Sequence, residues 1–66
     1  MTQATLDFIK RADKFVIIMD DVKTEYTNYA DAARFYNSHV FSAGKIELTA
    51  ICGMVGLTIA YRYNNL

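Results

Sequence analysis

A chain of 66 residues makes one domain at most, and a domain this small usually needs help to stay folded. A single cysteine, Cys52, excludes an internal disulfide, and a single histidine, His39, excludes a His/Cys-rich structural zinc site. Seven basic residues balance seven acidic ones, so the surplus of Lys and Arg that holds a protein on DNA or RNA is missing. Dense apolar packing or a partner chain is what remains, and 53% hydrophobic residues, with five Tyr and four Phe, supply both.

The first element is a short amphipathic helix over residues 3–14. Ala4, Phe8 and Ala12 recur at helical spacing with Ile9 beside them, and Asp7, Lys10, Arg11 and Lys14 lie opposite. Asp7 precedes Arg11 by four residues, the favourable order for a helical ion pair. The segment is not a secretory leader, because Asp7 interrupts it and no long apolar run precedes Lys10. From the leading Met the chain reads as a stand-alone product, with the cytoplasm as its default location.

Phe15-Val16-Ile17-Ile18-Met19 breaks the helical rhythm and suits a strand covered on both faces. Asp20-Asp21 reads as a turn, since short carboxylates tolerate unusual backbone angles. Val22 to Tyr26 alternates apolar and polar, as a returning strand does. Tyr29, Ala32, Ala33, Tyr36 and Val40 then form one continuous helical stripe. Thr27 or Asn28 can cap its start, Asp31 suits the positive end of its dipole, and Ser42-Ala43-Gly44 ends it, with Gly44 free to turn left-handed.

The last segment decides the fold. With Gly53–Gly56 as a four-residue loop, Ile46–Cys52 and Leu57–Tyr63 make a hairpin in which Leu48 opposes Tyr61, Thr49 opposes Ala60 and Glu47 opposes Arg62. The rival is one apolar helix over residues 46–63, either soluble or membrane-active. Leu48 to Tyr61 gives it an uncharged core of about 21 Å, short of the roughly 30 Å hydrocarbon layer. The hairpin predicts an α+β domain in the order α-β-β-α-β-β over residues 1–66, an antiparallel sheet packed by one main helix.

No coherent catalytic set is visible. Ser38 and His39 are neighbours on a helix and face different ways, and Cys52 has no orienting third group. Asp20 and Asp21 lack the spacing of a calcium loop, and Gly53–Gly56 lacks the context of a phosphate cradle. No cofactor or metal is implied, and the expectation is a non-enzyme. Tyr26, Tyr29, Tyr36, Tyr61 and Tyr63 could stack on bases, but the basic residues are scattered, so direct nucleic-acid binding is the weaker reading.

Surplus apolar surface carries the functional expectation. Val16 and Ile18 point away from Ile17 and Met19, Ile51 and Ala60 lie on the outer side, and Phe35 sits off the main helical stripe with His39. Val16, Ile18, Phe35, His39 and Ile51 are therefore the candidate partner-binding residues, toward a second copy or a different protein. Asp20, Asp21, Glu25 and Asp31, against Lys23 alone, make residues 15–31 acidic. An acidic patch beside exposed aromatics suits docking onto a nucleic-acid-handling enzyme. A viral or mobile-element modulator or inhibitor of such a host protein is the expected kind of product.

Overall fold

The computed structural model describes residues 1–64. They form helix α1 (Gln3–Arg11), strands β1 (Lys14–Met19) and β2 (Val22–Tyr26), helix α2 (Tyr29–His39), and strands β3 (Lys45–Cys52) and β4 (Val55–Tyr63). The strands make one antiparallel sheet in the order β2-β1-β3-β4. The class is α+β, with the predicted order of elements.

Alternation sorts each strand into two faces. Phe15 and Ile17 of β1, with Ile46, Leu48 and Ala50 of β3, are buried on the inner face and close over Ala32 of α2 and Ala43. Phe8, Ile9 and Ala12 of the α1 region pack against this same cluster, as do Tyr29, Phe35, Tyr36 and Val40. Both helices thus lie on one side of the sheet. The first strand, expected to be covered on both faces, is covered by helices on one alone; on the other Val16 is buried among neighbouring strands and Ile18 is half-buried.

Helix α1 is shorter than its periodicity suggests. Ala12 is already extended and caps the helix, because Lys14 must enter β1. The Asp7–Arg11 ion pair does not form; the Asp7 carboxylate accepts from Gln3 Nε2 at 2.9 Å. Asn28 caps α2, its Oδ1 accepting from the Asp31 backbone N–H at 2.9 Å. Gly44 stays out of the left-handed region. Its need for a small side chain is steric, since an added Cβ would stand 2.9 Å from Asp20 Oδ1.

The two hairpin loops have two residues each. Asp20 and Asp21 both adopt left-handed angles, φ 49° and 71°, as the tight turn that matches strand twist requires. Asn-Gly would serve that turn as well. Asp20 has a second task, accepting from the backbone N–H groups of Lys45 at 2.9 Å and Gly44 at 3.4 Å, which ties the turn to the start of β3.

The second loop is Gly53-Met54, with Gly53 at φ 61°, in place of the expected four residues. Val55 and Gly56 join β4, pairing with Cys52 and Ile51. A register shift at Leu48/Thr49 then passes over Ile59, so Glu47 opposes Tyr61 and Ile46 opposes Arg62. The expected Glu47–Arg62 and Leu48–Tyr61 pairs are therefore corrected by one residue. Ala60 moves to the inner face opposite Leu48. The rival single helix over 46–63 is replaced by two strands, and no helix among the described residues is long and apolar enough to cross a membrane.

Candidate binding surfaces

The residues expected to meet a partner fall on two separate surfaces. Val16, Ile18 and Ile51 lie on the outer face of the sheet, whereas Phe35 and His39 lie on α2 above the inner face. Val16 is only 7% exposed, because neighbouring strands shield it. Its cross-strand partners are Glu25 and Thr49, and Lys14 Nζ reaches Glu25 Oε1 at 3.4 Å along the same face. Ile18 and Ile51 are half-buried.

More open on the outer face are two residues not expected there. Tyr61 and Tyr63 of β4 are exposed, with rings 5.7 Å apart. The Tyr63 hydroxyl donates to Glu47 Oε1 at 2.8 Å, a bond that exists because of the one-residue shift in register. That bond, with the Glu47 charge, raises the Tyr63 pKa above the ordinary tyrosine value. At the hairpin tip Met54 is fully exposed and Val55 largely so.

Backbone hydrogen bonding gives β4 its second property. It is an edge strand of nine residues, the longest in the sheet. The Asn64 N–H donates to the Gly44 carbonyl at 2.8 Å, which sets the phase of the β3–β4 ladder. Antiparallel ladders alternate, so Arg62 and Ala60 bond inward to β3, and Tyr61 and Tyr63 turn their N–H and C=O groups toward the free edge. Arg62 is the single charge along the strand, and its guanidinium lies over the exposed Phe41 ring at 4.7 Å.

The second surface is a trough of about 340 Å³ lined by Tyr26, Asp31, Arg34, Phe35, Ser38 and His39. Five of these recur at i, i+3, i+4, i+7 and i+8 along α2, a second helical stripe beside the core stripe. Phe35 stacks on His39 with ring centres 4.2 Å apart and stands 5.9 Å from the Tyr26 ring. His39 Nδ1 donates to the Phe35 carbonyl at 2.9 Å, which leaves Nε2 as the ring's outward nitrogen.

The four carboxylates expected to form an acidic patch each have a local engagement. Asp20 holds the start of β3, and Asp21 stands 3.8 Å from Lys45 Nζ. Glu25 pairs with Lys14 and Lys23, and the Lys14 hydrogen bond and charge hold its carboxyl below the ordinary value. Asp31 accepts from Asn28 Nδ2 at 2.9 Å and stands 3.5 Å from the Arg34 guanidinium. They are spread over a turn, the outer face and α2.

Of the residues weighed for chemistry, Ser38 donates to the Arg34 carbonyl and Ser42 to the His39 carbonyl. Cys52 ends β3, and His39 precedes the turn that begins it, so the fold does not join them. Among the described residues, no three His, Cys, Asp or Glu side chains come together as a metal site. Comparison of the chain with protein-family models, with curated proteins and with solved structures finds no match.

Proposed function

We propose that this chain is a non-catalytic binding protein that takes up an added polypeptide strand at the free edge of β4. One observation carries the reading. β4 offers outward backbone groups at Tyr61 and Tyr63, beyond the bulge at Ile59, on a strand that is long, free of proline and almost free of charge. Main-chain bonds along such an edge supply affinity, and the flanking side chains supply selectivity.

A second copy of the chain is the proposed source of that strand. Antiparallel pairing of β4 about a two-fold axis is self-complementary, and it doubles every contact. The strand's exposed Val55, Leu57, Tyr61 and Tyr63 would be covered at the same time. The acidic residues, being dispersed, give no support to docking through a charged patch, so the reading rests on strand addition. Sedimentation across about a hundredfold range of concentration is the test, with dimer growing by mass action. A chain that stays monomeric throughout would refute the homodimer. Strand addition by a different protein would then require capture by the wild-type chain and not by Tyr61→Lys.

A further inference from the structure

We infer that the trough between α2 and the β2 edge is a peptide-binding groove, for an extended segment with an apolar or aromatic side chain and an acidic side chain two residues away. This surface is separate from β4, and the inference stands whether or not β4 pairs.

The backbone half of the site is the β2 edge. The Asp20 N–H donates to the Lys45 carbonyl at 2.9 Å, which sets the phase of β1 against β3. By alternation Phe15, Ile17 and Met19 bond toward β2, through Tyr26, Thr24 and Val22. Lys23 and Glu25 therefore direct their N–H and C=O groups to the free edge. Their side chains stand on the outer face, where Lys23 and Lys14 hold Glu25, and they leave the inner side of the edge open.

The side-chain half is the trough itself. A segment added along β2 points alternate side chains at the inner face, beside Tyr26. There Tyr26, Phe35 and His39 form an aromatic wall, and about 340 Å³ is room for one large side chain. Val22 is also on the inner side of β2 and is 63% exposed, so the helices leave the start of the strand uncovered. Arg34 selects the charge of the ligand. Its side chain is 78% exposed and, among the described residues, its ion-pair contact is a long 3.5 Å approach to Asp31, which leaves the guanidinium fork room to take a carboxylate. A residue two positions from the aromatic anchor shares its face and reaches toward this fork.

The test uses a panel of blocked, fluorescent peptides that alternate Thr with Val. One Val is replaced by Phe, Tyr, Leu or Ile, and the next residue on that face is Glu or Lys. Saturable binding of the Glu series is expected, with the Lys23 and Glu25 amides shifting and exchanging more slowly in NMR spectra. Arg34 is too exposed to support the fold, so Arg34→Glu should fold normally, weaken the Glu series by about tenfold or more, and favour the Lys series. Absence of binding by every peptide up to about 1 mM would overturn the inference. So would peptide-induced shifts confined to β4, or an Arg34→Glu variant with unchanged preference.

Discussion

The two hairpins share a sheet and a loop length and differ in almost everything else. In β1–β2 the turn is pinned: Asp20 bonds two backbone amides at the start of β3, and the outer strand has five residues with Lys23 and Glu25 facing out. In β3–β4 the turn is held by one bond, Gly53 N–H donating to Asp13 Oδ2 at 2.7 Å, its Met54 is fully exposed, and the outer strand has nine residues and one charge. Charge and brevity discourage indiscriminate pairing at β2, so a ligand there must also satisfy the α2 trough. β4 has length and bare backbone, so pairing there depends less on side chains. On the proposed reading, one sheet presents a selective edge and a permissive one.

The pinned turn is where the comparison breaks most visibly. Asp20→Ala removes the acceptor for Gly44 and Lys45 and places a residue less tolerant of φ 49° in the turn. A loss of about 2 kcal/mol is expected in urea unfolding, with Asp20→Asn much milder. At the other turn, where the Met54 side chain is fully exposed, Met54→Ala should change stability by less than about 0.5 kcal/mol. Equal losses at the two turns would remove the distinction between the hairpins.

Charging the permissive edge comes next. Tyr61→Lys gives β4 the protection that Lys23 gives β2, and should weaken dimer association by about tenfold, or roughly 1.4 kcal/mol. Sedimentation reads the change. Unchanged association would show that contacts elsewhere hold the copies together.

Two titrations sharpen the comparison with smaller effects. Glu25 has a depressed folded pKa, so its contribution to stability is present above the unfolded carboxyl pKa and fades as pH falls through the folded one. Lys14→Met should move the Glu25 carboxyl midpoint, followed by NMR, back toward the ordinary value. Tyr63 has a raised pKa, so its contribution is present below the unfolded tyrosine pKa and is lost as pH rises through the folded one. Glu47→Gln should lower the alkaline midpoint of Tyr63 in absorbance titration. No change would contradict the one-residue register shift.

Much of the candidate surface was legible in residue order. Phe35 and His39 stand out because they fall beside the main stripe of α2. Arg34 does not stand out in the same way, although Asp31, Arg34, Phe35, Ser38 and His39 form a second periodic stripe that marks a helix flank, and nothing local joins Tyr26 to that stripe. A four-residue loop would set Tyr61 opposite Leu48, on the inner face. A two-residue loop followed by a skipped Ile59 places Tyr61 and Tyr63 on the outer face.

By itself the sequence determined the first four elements, the Asp20-Asp21 turn, a cap at Thr27 or Asn28 and the core stripe of α2, and it favoured a hairpin over one helix for the last segment. Each depends on a period or a turn residue within a few neighbours, so the information is local. Tertiary structure alone decided that β1 pairs β3, that both helices share one face, and that β4 shifts by one residue between Thr58 and Ala60. Those outcomes come from packing between segments far apart in the chain. A single bulged residue there reverses which side chains meet the core and which meet a partner.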